Sequence, residues 1–175
     1  MSSVPEQPRR LFLALWPEAA ERERMVVLAQ TVTGGRKVQP DNLHLTLVFL
    51  GVTPGERLRC YEQALQDIPV PRLTLTLDRM GYWPRSGILW LGASRTPPPL
   101  LALVTDLNRR LETCGFTPER RPFQVHITLA RKFPGSVPVT VLDEPLAWYT
   151  EYIVLVESLF QDTGVRYQVL RRWPQ

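Results

Sequence analysis

Two short motifs carry the residues of this chain that are best suited to chemistry. His44 and His126 are the only histidines among 175 residues, and each is followed by a threonine two positions later and a leucine three positions later. Imidazole titrates near pH 6.5, so a neutral ring can accept a proton while a charged ring donates one. The hydroxyls of Thr46 and Thr128 can donate hydrogen bonds to phosphoryl oxygens. The paired motifs therefore indicate acid–base chemistry at an anionic centre.

The segments around both motifs are predicted to be buried strands. Residues 43–50 and 125–130 are apolar and rich in β-branched side chains. Because side chains alternate between the faces of a strand, each histidine shares a face with its threonine, and the intervening apolar residues take the other face. Two such strands side by side would line one cleft with both histidines and both threonines.

Arg131 directly follows the second motif and is a candidate to bind phosphate, because a guanidinium presents a planar fork of donors. Strict alternation would place it on the face opposite His126 and Thr128. It reaches the site only if the strand ends, twists or bulges near Ala130. The alternative is a solvated arginine on the protein surface.

The rest of the chain predicts an α+β fold. Hydrophobic periodicity and turn residues give the order strand, helix, strand, helix, strand, strand, helix, strand, strand, strand. Helices do not alternate regularly with strands, so the sheets should be mainly antiparallel. We expect one domain over residues 1–175, built from two similar lobes that face each other across a cleft. Thr53 is predicted to cap a helix, residues 82–87 to form a turn, and residues 133–145 to be irregular.

Composition narrows the possible partners and compartments. The net charge of +4 favours an anionic partner. Cys60 and Cys114 are far apart in the sequence and predict neither a disulfide framework nor a zinc site, which favours a reducing cytoplasm. The N-terminus lacks a signal-peptide pattern, and no apolar run is long enough to span a membrane.

These motifs resemble those of the 2H phosphoesterase superfamily. The wider match is to the bacterial and archaeal RNA 2′,3′-cyclic phosphodiesterases, the LigT-like branch first named 2′-5′ RNA ligases. The resemblance extends from about residue 9 to residue 173. The segments that carry it are Arg10–Phe12, Asn42–Leu47, Phe49–Gly51, Leu89–Gly92, Arg121–Phe123, His126–Leu129 and Arg131.

The resemblance implies a two-lobed fold without a metal or cofactor, and hydrolysis of the 2′,3′-cyclic phosphate at an RNA end to a 2′-phosphate. It implies that His44 is the general acid, which protonates the departing 3′ oxygen, and that His126 is the general base, which activates water. Thr46 and Thr128 would hold the non-bridging oxygens, and Arg131 would help to neutralise them.

Phe12 and Phe49 are candidates to stack on a base, as aromatic side chains do in sites for single-stranded nucleic acid. Core packing explains both residues equally well, because both lie in apolar strands. The residues themselves do not orient the acid and the base, since a pseudo-symmetric site can be interpreted either way. For a cleft enzyme of this size we expect a monomer.

Three other functions stay open on the sequence. A module that recognises RNA ends or phosphate without turnover would use the same groups, but losing one histidine would only weaken its binding. The same acid–base pair could run in reverse and join RNA ends through a 2′-5′ linkage. A metal hydrolase fits poorly, because two histidines are too few ligands and no cysteine or acidic cluster at ligand spacing accompanies them.

Overall fold

The computed structural model describes residues 6–135 and 139–175, which form two antiparallel sheets and three α-helices. The strands are β1 (Arg9–Leu15), β2 (Arg36–Lys37), β3 (Leu45–Thr53), β4 (Leu73–Trp83), β5 (Ile88–Gly92), β6 (His126–Arg131), β7 (Thr140–Thr150), β8 (Ile153–Gln161) and β9 (Gly164–Trp173). The helices are α1 (Ala19–Gln30), α2 (Gly55–Leu65) and α3 (Pro98–Glu112), and a short 3-10 turn spans Pro40–Asn42. The predicted α+β class with antiparallel sheets is confirmed.

Each sheet carries one of the two motifs. The first sheet has the order β3-β1-β8-β9 and the second has the order β2-β6-β5-β4-β7. The strands that carry the motifs, β3 and β6, contact each other where the sheets meet. Two helices pack on the sheet that does not contain the preceding strand: α1 follows β1 but packs on β6 and β7, and α3 follows β5 but packs on β3. The two sheets are therefore interleaved along the chain.

The apolar patterns place the core as the sequence predicts. In β4 the leucines at positions 73, 75 and 77 are buried and the threonines between them are exposed. In α3 the buried positions recur at helical spacing and join a cluster that includes residues of both sheets. Within the part of the chain that the structure describes, no helix combines the length and the apolar composition that crossing a bilayer requires.

Several local predictions were wrong. The sequence missed β2 and β7, and β4 continues through Trp83 into the predicted turn. The strand β7 begins inside the stretch predicted to be irregular and contains Pro145; it lies at the edge of its sheet, where proline and charged side chains are tolerated. Residues 136–138 of that stretch lie outside the described residues. Thr53 ends β3, and its hydroxyl donates to the carbonyl of Gly51 instead of capping α2.

The two cysteines form a disulfide, so the prediction of no disulfide was also wrong. Cys60 lies in α2, Cys114 follows α3, and their Cα atoms are 5.9 Å apart although 54 positions separate them in the sequence. The helices α2 and α3 pack against each other. Separation along the chain therefore says nothing about separation in the fold.

Replacing both cysteines with alanine should lower the free energy of unfolding by about 2–4 kcal/mol. The disulfide restricts the unfolded chain, and this effect increases with the length of the loop that it closes. Urea denaturation without reductant measures the difference. With excess reductant the wild type and the variant should unfold at similar urea concentrations, and a wild type no more stable than the variant without reductant would contradict the stabilising bond.

Candidate active site

A β-bulge follows each motif and sets where the next side chains point. The strand register shifts at Leu47 in β3 and at Leu129 in β6. At each bulge two consecutive residues, the leucine and the one after it, are buried. The next residue, which is Phe49 in β3 and Arg131 in β6, is therefore exposed instead of buried. Strict alternation predicted the wrong face for Arg131, and a bulge is one of the three conditions that would bring it to the site.

His44 lies directly before β3, and its ring is held by two hydrogen bonds. Its Nδ1 donates to the carbonyl oxygen of Asn42 at 2.7 Å, and its Nε2 lies 2.9 Å from the hydroxyl oxygen of Thr46. Because a carbonyl can only accept, Nδ1 carries the proton in the neutral ring and Nε2 is the atom that gains or loses one. The predicted shared face of His44 and Thr46 is present.

Asn42 supports this arrangement, a role that the sequence alone does not predict. Its side-chain Nδ2 donates to the carbonyl of Val165 at 2.9 Å, and the backbone N–H of Tyr167 donates to its Oδ1 at 3.3 Å. The 3-10 turn is thereby attached to β9 at two points. The carbonyl that orients His44 is consequently held in place, by contacts that no local sequence signal reveals.

Aromatic side chains surround the His44 ring. Trp16 stacks on it at a centroid distance of 5.6 Å, Phe12 lies at 4.7 Å, and Tyr167 meets it edge-on at 5.0 Å. Phe12 is only 3% exposed, so a base has no access to its face in this structure. Phe49 is 57% exposed and does offer an accessible ring.

His126 is the first residue of β6 and repeats the geometry of His44. Its Nδ1 donates to the carbonyl of Gln124, again two positions earlier, at 3.1 Å. Its Nε2 is therefore the atom available for proton transfer. The Trp83 ring stands 4.9 Å away at 66°. The sequence predicts a turn at Trp83, and no pattern in it indicates this contact.

Both histidines are less basic than a histidine in water. Burial lowers the pKa of His44 to about 4, a shift that the hydrogen bond to Asn42 opposes and that the charges of Arg131 and His126 assist. Burial also lowers the pKa of His126, against the hydrogen bond to Gln124. Both rings are consequently neutral at pH 7 in the ligand-free protein.

Each histidine lines one of two cavities. One, of about 730 Å³, contains Thr46 and His126; we call it the aromatic cavity because Phe49, Trp83, Phe116 and Phe123 line it. The other, of about 170 Å³, contains His44 and Thr128; we call it the cationic cavity because Arg36, Lys37, Arg131 and Lys132 line it. Each cavity takes its histidine from one motif and its threonine from the other.

The donors that line these cavities suit an anion attached to an aromatic group. Imidazoles, hydroxyls and guanidinium groups bind phosphate oxygens, and exposed aromatic rings stack on bases. Within residues 6–135 and 139–175, no three His, Cys, Asp or Glu side chains are grouped closely enough to hold a metal ion. The histidines, the threonines, Arg131 and Phe49 all line the cavities, whereas Phe12 does not.

Comparison with known proteins gives a consistent family. A family model described as LigT like Phosphoesterase matches residues 15–90 and 91–147. The RNA 2′,3′-cyclic phosphodiesterase of Escherichia coli is 37% identical over 173 residues, which cover 95% of this chain and 97% of that protein. The crystal structure of E. coli LigT in apo form superposes with a TM-score of 0.88 at 34% identity, over 96% of this chain and 98% of that chain. The complex of E. coli LigT with 3′-AMP gives 0.87 at 34% identity, over 95% and 98%.

The burial of His44 should make the protein less stable in mild acid. The folded state holds the ring neutral down to a pKa of about 4, whereas the unfolded chain protonates it near 6.5. The unfolded state therefore binds more protons between these two values, and stability falls as the pH falls through this window. Through His44 alone, the free energy of unfolding should decrease by about 2 kcal/mol between pH 7 and pH 5.

Urea denaturation of the wild type and of His44→Gln at both pH values measures this effect. His126 titrates in both proteins, so the difference between their losses isolates His44. With two histidines in the chain, NMR can also follow each imidazole directly, and His126→Gln assigns the signals. Equal losses of stability in both proteins, or a His44 ring that titrates near 6.5, would contradict the buried neutral ring.

Proposed function

Because the chain belongs to the LigT-like phosphoesterase family, we propose that it hydrolyses 2′,3′-cyclic phosphate ends of RNA to 2′-phosphomonoesters. The geometry of the histidines is the observation that supports this most strongly. Both Nδ1 atoms are engaged by backbone carbonyls, and the residues of the two motifs line cavities that suit a base and a phosphate. This leaves two Nε2 atoms for proton transfer at a phosphate.

The proposed reaction needs one proton transfer at each histidine. His126 Nε2 takes a proton from water as the water oxygen forms a bond to phosphorus. The bond from phosphorus to the 3′ oxygen breaks, and His44 Nε2–H gives its proton to that oxygen. The products are a 2′-phosphate, a free 3′ hydroxyl, a neutral His44 and a charged His126. Each transfer of this kind typically contributes about 10²–10⁴ in rate.

A general acid must carry a proton, whereas His44 is neutral at pH 7 without substrate. The negative charge of a bound phosphate favours the imidazolium and offsets the charge of Arg131, which lowers the pKa. The negative charge of the bound substrate therefore favours protonation of His44, the general acid that the reaction needs. A ring with a low intrinsic pKa then gives up this proton readily, which suits an alkoxide leaving group.

The other residues fall on the two sides of the site. Thr128 and Arg131 line the cationic cavity, where we assign them to the non-bridging oxygens of the phosphate. Thr46 contacts His44 Nε2 and can also reach a bound oxygen. Phe49 is exposed in the aromatic cavity, where it can stack on a base. Phe12 instead packs beneath His44, and we assign it to holding that ring.

The proposed enzyme uses no metal or cofactor and acts as a monomer, with residues 1–175 as a single domain of two interleaved lobes. Its compartment would be the cytoplasm. Thiols in that compartment are kept reduced as a rule, so the bond between Cys60 and Cys114 is the feature of the structure that argues against it.

Replacing either histidine with alanine should lower turnover by about 10² or more while the fold survives. The substrate is an RNA oligonucleotide that ends in a 2′,3′-cyclic phosphate, with a chelator present, and phosphorus NMR identifies the product. Urea denaturation confirms that the variants are folded. A 2′-phosphate from the wild type alone is the expected result.

Other results of this experiment would indicate a different function or mechanism. RNA that binds the wild type but stays unchanged would indicate a recognition module without turnover. Longer RNA formed from cyclic-phosphate ends and 5′-hydroxyl ends would indicate ligation by the same site. Activity that a chelator abolishes and a metal restores would contradict the metal-free mechanism.

A substrate with sulfur in place of the 3′ oxygen should show which histidine is the general acid and which is the general base. A thiolate leaves without protonation at neutral pH, because a thiol has a pKa near 8.5 and an alcohol a far higher one. The loss of turnover in His44→Ala should therefore shrink by about tenfold or more with this substrate, whereas the loss in His126→Ala should persist. Rescue of His126→Ala instead would reverse the two roles.

A further inference from the structure

The cationic cavity holds more positive charge than one cyclic phosphate requires. Four cationic side chains line it, whereas a cyclic phosphodiester carries a single negative charge. Among the described residues, no carboxylate lines this cavity, and none of the ion pairs involves these four side chains. Their charge is therefore uncompensated within that part of the chain.

Two of these cations oppose each other directly. In the pairing of β2 with β6, Arg36 stands across from Arg131. Like charges at directly opposite positions destabilise a sheet. The Arg36 guanidinium also donates to the carbonyl of Thr163 at 3.1 Å, which places it between the second sheet and the β8–β9 turn of the first. An anion bound at each of the two guanidinium groups would remove the repulsion.

The backbone of Lys132 is a second destabilising feature at the same place. Its backbone φ is +50°, which is uncommon for a residue other than glycine. Such conformations cost free energy and cluster at binding and catalytic sites. Lys37 has a different role, because its ammonium donates to the carbonyls of Val32 and Gly34 at 2.7 Å each. Among the described residues, Arg131 and Lys132 have no such internal partner, and Arg36 is held by one carbonyl.

We propose that the cationic cavity binds a second phosphate of the substrate, the phosphodiester one nucleotide upstream of the cyclic phosphate. This inference rests on the proposed function. The reacting phosphate lies at the histidines with Thr128 and Arg131, and the upstream phosphodiester lies against Arg36 and Lys132. The enzyme consequently acts on RNA strands in preference to cyclic mononucleotides.

Three substrates test this with the wild-type protein. The first is a nucleoside 2′,3′-cyclic phosphate, the second is a dinucleotide with the same cyclic end, and the third is that dinucleotide with a neutral methylphosphonate as its internal linkage. A hydrogen bond to a charged group contributes enough for about a 10- to 100-fold effect. The value of kcat/KM should be higher by that factor for the charged dinucleotide than for the neutral one, which should resemble the mononucleotide.

Variants locate the contact. Arg36→Met should abolish the preference for the charged dinucleotide and leave kcat/KM on the mononucleotide within about threefold. Arg72→Met is the matched control: it removes the same charge from a side chain that is 94% exposed and lines neither cavity, so the preference should persist.

The salt dependence gives a second readout, since each phosphate contact to a single strand changes the slope of log affinity against log salt by about 0.7. That increment should separate the two dinucleotides in the wild type and vanish in Arg36→Met.

Several outcomes overturn the inference. Equal kcat/KM values for the two dinucleotides would show that the internal charge is not bound. An equal loss on all three substrates in Arg36→Met would place Arg36 at the reacting phosphate. A loss of preference in Arg72→Met as large as that in Arg36→Met would indicate a general effect of net charge. If none of the substrates is hydrolysed, the proposed function fails, and calorimetric affinities of the same three compounds still decide whether the internal phosphate is bound.

Discussion

The β-bulge after each motif is the constraint on which the site depends. A regular strand that buries the first and third residues after the histidine would expose the fourth and bury the fifth, which is Phe49 in β3 and Arg131 in β6. The extra residue at Leu47 and at Leu129 lets two consecutive apolar side chains enter the core and still leaves Phe49 and Arg131 exposed. The two motifs thus use one backbone device to present one further side chain each.

The side chains presented by the two bulges make the two halves of the site different. The same position holds a phenylalanine after the first motif and an arginine after the second, and they line the aromatic and the cationic cavity, respectively. An aromatic ring favours a base, and a guanidinium favours a phosphate. A site with nearly symmetric acid–base groups can therefore bind an asymmetric substrate in a single orientation, because the side chains after the bulges discriminate its two ends.

The sequence predicts the features that depend on neighbours along the chain. The shared face of His44 and Thr46 follows from strand alternation, and the antiparallel α+β class follows from the order of periodic segments. Features that depend on distant segments leave no such signal. The anchoring of Asn42 by β9 joins positions more than 120 residues apart, and the bond between Cys60 and Cys114 joins two helices whose packing only the fold reveals. The strand β2 has two residues, too few for any periodicity, yet it brings Arg36 opposite Arg131.

The burial of His44 couples binding to protonation. The aromatic rings that orient the imidazole also exclude water from it, and this raises the cost of the charged form. A ligand without negative charge leaves that cost in place, so it meets a neutral His44 with no proton to donate. An anion at the same position lowers the cost, because it is the counter-charge that the ring lacks in the ligand-free protein. In the proposed reaction, the same desolvation that reduces stability in acid would therefore tie the supply of a proton to the presence of a phosphate, and it would select for an anionic substrate at the chemical step as well as at binding.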